Sequence, residues 1–343
     1  MLSADKTIHI GLIGGGNITS THARAVAAIP GLKIVAFCGS NQQKVEQLCS
    51  QFGGTAHTNL NSFLSHPSLE TIIIGSPSGL HAEQGIAAAQ RGLHVLVEKP
   101  IDISTSRADA LISECNRAGV KLGVIFQDRL KPNIYRLKQL IVEGKLGKLL
   151  LADARVKWYR PPEYYSGSRW RGTWNLDGGG ALMNQGVHTV DLLLWLLGDV
   201  ASVEARTGAL LHSIQTEDTA IALLEFSSGA FGVLQATTAA FPGYARRVEI
   251  TGTEGTVILK GDLLITTGLR NAQDDLPVNQ SSDGNASSTS PVVDDIRGHQ
   301  RVIGDFIEAI MNDGTPACDG PEGRRSVALI ERIYAASEKA RSR

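Results

Sequence analysis

The chain has few cysteines, almost no net charge and no long apolar run. Its 343 residues contain four cysteines, Cys38, Cys49, Cys115 and Cys318. They lie far apart with no CxxC pair, so the spacing suggests neither a disulfide framework nor a zinc site, and a reducing compartment fits. Basic and acidic residues nearly cancel, to a formal charge of -1, and are scattered along the chain. That leaves no footprint for nucleic acid or an anionic membrane. No uninterrupted apolar stretch reaches the length of a membrane span, and Met1-Leu2-Ser3-Ala4-Asp5-Lys6 leads into a strand-like segment without an apolar signal core. The expectation is a cytoplasmic protein with small-molecule chemistry, no metal centre, and neither nucleic acid nor membrane as partner.

The length exceeds what one core usually holds, so two domains are expected. In the first, Thr7 to Ile13 is rich in β-branched residues, Gly14-Gly15-Gly16-Asn17-Ile18-Thr19 turns the chain, and His22 to Ile29 is helical in character. Strand, glycine turn and helix make a phosphate cradle: Gly14 permits the tight turn, Gly16 the backbone's approach to a pyrophosphate, and the helix start offers free N–H groups. Thr19 stands where a third glycine is usual, and a glycine turn that merely joins strand to helix remains an alternative. A carboxylate near the end of the second strand, Lys33 to Phe37, would mark NAD, but that place falls at Gly39. Ser40, Asn41 and Lys44 follow it and could donate to a 2′-phosphate, which favours NADP slightly over NAD; they are also ordinary capping and surface-helix residues.

Strand and helix keep alternating through Ile72–Ile74, His81–Arg91, His94–Val97, Thr105–Ala118 and Lys121–Phe126. The rhythm indicates a doubly wound parallel sheet. Ser76-Pro77 and Glu98-Lys99-Pro100 then fall at the carboxyl ends of strands, where such sheets bind ligands. An exposed lysine beside a proline is also common as plain surface.

After Phe126 the pattern changes to a helix near Asn133–Glu143 and then to strands: Leu149–Trp158, Ser202–Arg206, Thr219–Phe226, Phe231–Thr238, Arg247–Thr251 and Thr256–Leu259. Ser227-Ser228-Gly229 and Thr253-Glu254-Gly255 read as hairpin turns, so the sheet is expected to be large, open and mostly antiparallel, one face serving a homo-oligomer, dimer or tetramer. Gln273 to Asp295 reads as a polar surface loop; helices near Gln300–Met311 and Glu322–Arg341 follow. Between the first two strands, Gly178-Gly179-Gly180 runs into Asn184, His188 and Asp191, a polar row at helical spacing on an otherwise apolar segment. It reads either as a proton-transfer site facing Lys99 or as a buried histidine held by Asp191.

In their order and spacing these motifs resemble the glucose-fructose oxidoreductase, inositol dehydrogenase and rhizopine-catabolism family, Gfo/Idh/MocA, over nearly the whole chain. The resemblance implies a Rossmann domain at 1–126 and an α+β substrate-binding and oligomerisation domain at 127–343. It also implies NAD or NADP, and hydride transfer at a secondary hydroxyl or ketone of a sugar, cyclitol or sugar derivative. By resemblance Lys99 and His188 are catalytic. Asn184 replaces an aspartate common in relatives and cannot accept a proton, so it would orient substrate with Trp170, Arg171, Tyr159 and Arg129. Gly14, Gly16, Asn17, Ile18, Ser40, Asn41, Lys44, Ser76, Pro77, His81, Glu98, Lys99 and Gln127 would bind cofactor. Arg160, Tyr164 and Tyr165 could line a sugar pocket, and Val156 to His188 also looks like that stretch of dehydrogenases acting on UDP-linked amino sugars. An NAD-dependent glycosidase and a catalytically inactive sugar-binding relative share the fold and remain alternatives.

Overall fold

A computed structural model describes residues 7–271 and 295–342. The polar stretch from Gln273, its last residue Asp295 excepted, lies outside them. Two compact units result, one of residues 7–127 and 295–324, the other of 128–271 and 325–342.

The first unit alternates β1 (Ile8–Ile13), α1 (Asn17–Ala27), β2 (Leu32–Cys38), α2 (Gln42–Phe52), β3 (Thr55–His57), α3 (Leu60–Leu64), β4 (Thr71–Ile74), α4 (His81–Ala89), β5 (His94–Glu98), α5 (Thr105–Ala118) and β6 (Leu122–Ile125). The strands are parallel in the order β3-β2-β1-β4-β5-β6. Covered on both faces, a parallel strand reads as a continuous apolar run, and the wholly buried Thr71-Ile72-Ile73-Ile74 is such a run. Strand order reverses between β1 and β4, the switch point at which doubly wound sheets bind ligands beyond the carboxyl ends of their strands.

The second unit holds α6 (Pro132–Val142), β7 (Leu149–Lys157), α7 (Pro162–Ser166), a π-helical turn (Ala181–Gly186), α8 (Val187–Leu197), β8 (Val200–Gly208), β9 (Thr219–Phe226), β10 (Phe231–Thr237), β11 (Arg247–Gly252), β12 (Gly255–Lys260) and β13 (Leu263–Leu269). Its sheet runs β13-β12-β11-β7-β10-β9-β8, with β7 and β10 parallel and the other pairs antiparallel. Alternation along β9 buries Ala220, Ala222, Leu224 and Phe226 and exposes Ile221 and Leu223. One face is thus packed, by α8 and the π turn, and the other is open.

The first unit is not one continuous segment. Residues 295–324 return to the first unit because α9 (Arg297–Met311) lays its apolar face, including Ile303, Phe306 and Ile307, against α1, β5 and β6. Gly123 makes room for this: a Cβ there would lie 2.7 Å from Phe306 Cδ2. The closing helix, α10 (Gly320–Arg341), starts in the first unit and ends in the second. Short β3 and β13 are strands that the sequence pattern does not announce. Among the described residues no helix is long and apolar enough to cross a membrane.

In the second unit the triple glycine is required by close approach. A Cβ on Gly180 would fall 1.7 Å from the Glu217 carbonyl oxygen, and one on Gly179 would fall 2.2 Å from the Tyr334 hydroxyl. Backbone cannot yield as a flexible side chain can, so Gly180→Ala is expected to cost about 3 kcal/mol or more. Urea unfolding measures this, and a variant as stable as the parent would contradict the packing described.

Candidate active site

At the switch point of the first unit, Gly14 has φ 131, a region that favours glycine, and a Cβ there would meet Thr19 Oγ1 at 2.3 Å. Thr19 therefore closes the turn in place of a third glycine. Gly16 faces open space, and no side chain caps the α1 N-terminus that it begins. Its first N–H groups are thus suited to a pyrophosphate, with Asn17 and Ile18 in the first turn. These features fit a dinucleotide. At the end of β2, Ser40, Asn41 and Lys44 are exposed, and Asn41 accepts from Lys44 N–H at 3.0 Å as the N-cap of α2. Gln127 Oε1 is buried without a hydrogen-bond partner.

Two of the residues expected at the cofactor make internal hydrogen bonds. Glu98 turns its carboxylate inward, at 6% exposure. It accepts from His22 Nε2 of α1 at 2.9 Å and from the N–H of Lys99 at 3.0 Å, and His299 Nε2 of α9 lies 3.7 Å away. Burial alone would raise its pKa, but the two histidines hold the carboxyl well below the ordinary range. His81 is the second case. It is buried between two carbonyl oxygens, with Nδ1 2.8 Å from Pro100 O and Nε2 3.0 Å from Ser76 O. Burial lowers its pKa while the carbonyls pull upward. His81 thus ties the Ser76-Pro77 turn to the turn after Lys99.

His22, Glu98 and His299 lie close enough together that their ligand atoms could hold a metal ion. However, Nδ1 of each histidine is buried without a hydrogen-bond partner. An imidazole bound to metal through Nε2 normally donates Nδ1–H to an acceptor. The trio is better explained as a buried carboxylate held by two imidazoles.

In the second unit, Glu217 sets the start of the segment carrying Asn184 and His188. Its carboxylate accepts from Gly180 N at 3.0 Å, Leu182 N at 2.8 Å and Tyr334 Oη at 3.0 Å. The expected α-helix is a π turn through Asn184 and becomes α-helical only from Val187, so the two side chains are not one α-turn apart. Asn184 Nδ2 donates to Asp177 Oδ1 at 2.8 Å, and Asp177 Oδ2 accepts from Gly172 N at 2.8 Å. His188 is half-buried and feels the charge of Asp128, a buried carboxylate that Lys131 approaches at 2.5 Å and that also pairs with Arg246. Asp191 accepts from Arg129, through Nε at 2.9 Å and Nη2 at 2.6 Å. With 2% exposure, Arg129 is buried in this pair. Trp170 and Arg171 stack on each other, Arg171 on Tyr164, and Tyr159 packs on Phe241. His22, Asp177, Glu217 and His299 are functional neighbours that the sequence reading missed. Glu217, His22 and His299 are far in sequence from the groups they hold, whereas Asp177 lies seven residues from Asn184 in a loop where an aspartate carries no signal of its own.

The profile of the oxidoreductase family with an NAD-binding Rossmann fold matches residues 8–126, and that of the GFO/IDH/MocA C-terminal domain matches 134–258. The WlbA dehydrogenase of Bordetella pertussis, solved in complex with NADH and UDP-GlcNAcA, is 32% identical, with 98% of this chain and 97% of that one covered and a TM-score of 0.87. Myo-inositol 2-dehydrogenase of Thermotoga maritima is 26% identical over 78% of this chain and 80% of its own. D-apiose dehydrogenase of Paraburkholderia graminis is 26% identical over 96% and 88%.

Burial pushes the Glu217 carboxyl from 4.5 up to about 7, against the pull of its donors. A folded-state pKa above the unfolded one favours the protonated form, so its contribution is complete below about 4.5 and lost as pH rises through about 7. The stability of the native chain relative to Glu217→Gln should therefore fall by about 3 kcal/mol between about pH 5 and about pH 8. Denaturant unfolding across that range is the measurement, and parallel curves for the two proteins would contradict it.

Proposed function

Because this chain belongs to the Gfo/Idh/MocA family of NAD(P)-dependent oxidoreductases, we propose that its substrate is a sugar nucleotide and that Lys99 and His188 carry the chemistry of one secondary hydroxyl. The observation behind the assignment is the edge of the first unit, where an uncapped helix after an open glycine turn lies at the switch point and Lys99 follows β5. The bound nicotinamide supplies the hydride acceptor or donor. Everything else is a task for side chains. In the oxidative direction His188 Nε2 takes the hydroxyl proton, the Lys99 ammonium stabilises the oxygen's developing negative charge, and the carbon gives up its hydrogen as hydride to become a ketone. Asn184, tied to Asp177, has no proton to exchange and orients the ring. The sugar-nucleotide part of the reading is supported by the likeness to a dehydrogenase bound to UDP-GlcNAcA.

Cofactor choice is the finer part. No carboxylate stands at Gly39, and exposed Ser40 and Lys44 can meet a 2′-phosphate, although Asn41 already caps α2. We therefore assign NADP as the tighter-bound cofactor. We also assign a cytoplasmic setting and a homo-oligomer through the open sheet face, where Leu151, Leu223 and Phe231 are exposed.

Two measurements test this reading. Lys99→Ala and His188→Ala should each lower kcat by about 100-fold or more while cofactor still binds, and turnover near the parent's would reject the roles. Parallel fluorescence titrations should show tighter NADP than NAD; equal or weaker NADP binding would reject the 2′-phosphate assignment.

A further inference from the structure

Beside Asn184, two guanidinium groups and three aromatic rings alternate. Arg160 Cζ lies 5.2 Å from the Trp158 ring centre and 5.6 Å from that of Tyr164; Arg171 Cζ lies 4.2 Å from Tyr164 and 5.3 Å from Trp170. The sequence Trp158, Arg160, Tyr164, Arg171, Trp170 is thus a ladder in which each cation meets two π faces. Its central rung joins the segment that carries the proposed chemistry, because Gln185 Nε2 donates to Tyr164 Oη at 3.0 Å. Arg171 is also linked to Asn184 through Gly172, whose N–H meets the carboxylate that receives Asn184 Nδ2.

Two like charges gathered in a half-buried wall repel each other and lose hydration. Arg160 shows both effects: burial lowers its pKa, and Arg171 adds to the lowering. Aromatic faces offset such costs only in part. Tyr164 also feels the charge of Asp177, whose oxygens receive Asn184 Nδ2 and Gly172 N–H. Arg171 is the accessible member of the pair, half-buried where Arg160 is 3% exposed. It stacks through its face and has a buried Nε without a hydrogen-bond partner. A guanidinium held flat in this way presents its edge as a fork, the geometry that matches a carboxylate or a phosphate.

Building on the sugar-nucleotide reading, we propose that Arg171, held flat by Tyr164 and Trp170 and reinforced by the charge of Arg160, is an anion subsite that selects substrates bearing a carboxylate or phosphate near the reacting ring. Arg171 is the specificity-determining residue and Arg160 a positioning one. Tyr164 couples both to Gln185 and so to the start of α8.

The test is calorimetric binding to the cofactor-saturated full chain of four probes: UDP-GlcNAcA, UDP-GlcNAc, free glucuronate and free N-acetylglucosamine. The parent should prefer anionic to neutral probes, and Arg171→Met should reduce that preference by about 10-fold or more, with Arg171→Lys in between. Loss confined to UDP-GlcNAcA and glucuronate assigns the subsite to a sugar carboxylate; loss on both UDP sugars but not glucuronate assigns it to the diphosphate. An unchanged preference, or an equal loss for neutral and anionic probes, overturns the inference. If Arg171→Met does not fold, the parent decides alone: anionic probes should weaken with added salt more than the neutral one, and equal salt dependence overturns the inference. Failure of the parent to bind any anionic probe also overturns it, whereas anion binding without turnover overturns only the dehydrogenase reading.

Discussion

The carboxylate of Glu98 is the contact on which the chemistry proposed for the first unit depends. It is a buried charge at the end of β5 that holds the N–H of Lys99 on one oxygen and the His22 imidazole of the phosphate-side helix on the other. Removing one partner from such a group leaves an uncompensated charge and costs about 3–5 kcal/mol, far more than an exposed pair would. The lysine backbone and the helix that begins at the glycine turn are therefore fixed to the same atom pair. His81, spanning Ser76 O and Pro100 O, fixes the neighbouring turn in the same way. Precise placement of a cationic side chain needs this kind of support, since a lysine on a free loop would lose most of its electrostatic value to motion.

The second unit solves the corresponding problem with a different carboxylate. Glu217 gathers the backbone donors of Gly180 and Leu182, and Tyr334 from α10 closes over it. The π turn that follows carries Asn184 toward Asp177, while His188 enters α8 above the Arg129–Asp191 pair. Asparagine in place of the aspartate expected from relatives fits this arrangement, since it can donate to Asp177 where a second carboxylate would repel it. On the proposed reading, proton exchange then rests with His188.

Much of this was legible in the sequence, for identifiable reasons. Strands buried on both faces read as apolar runs, and half-buried ones as alternations, so β4, β9 and β10 fall where the pattern places them. The glycine turn could be picked out because its requirement is local, a glycine at positive φ; the proposal for Lys99 and His188 rests on equally local signals, a lysine at a strand end and a histidine on an apolar helix. Long-range commitments were not legible. Nothing near Glu98 announces His22 or His299, and nothing near Asp191 announces Arg129. The return of α9 to the first unit is likewise decided by packing against Gly123, which no local pattern encodes.

The central claim is net hydride transfer at a sugar hydroxyl. It is tested most directly by following the absorbance of reduced cofactor, alongside product analysis, when the chain and NADP or NAD are mixed with UDP-sugars, free sugars and inositols. The account predicts reduced cofactor and keto product in equal amounts from at least one UDP-sugar. Release of an aglycone with no net cofactor change, or cofactor binding with neither product, would contradict it.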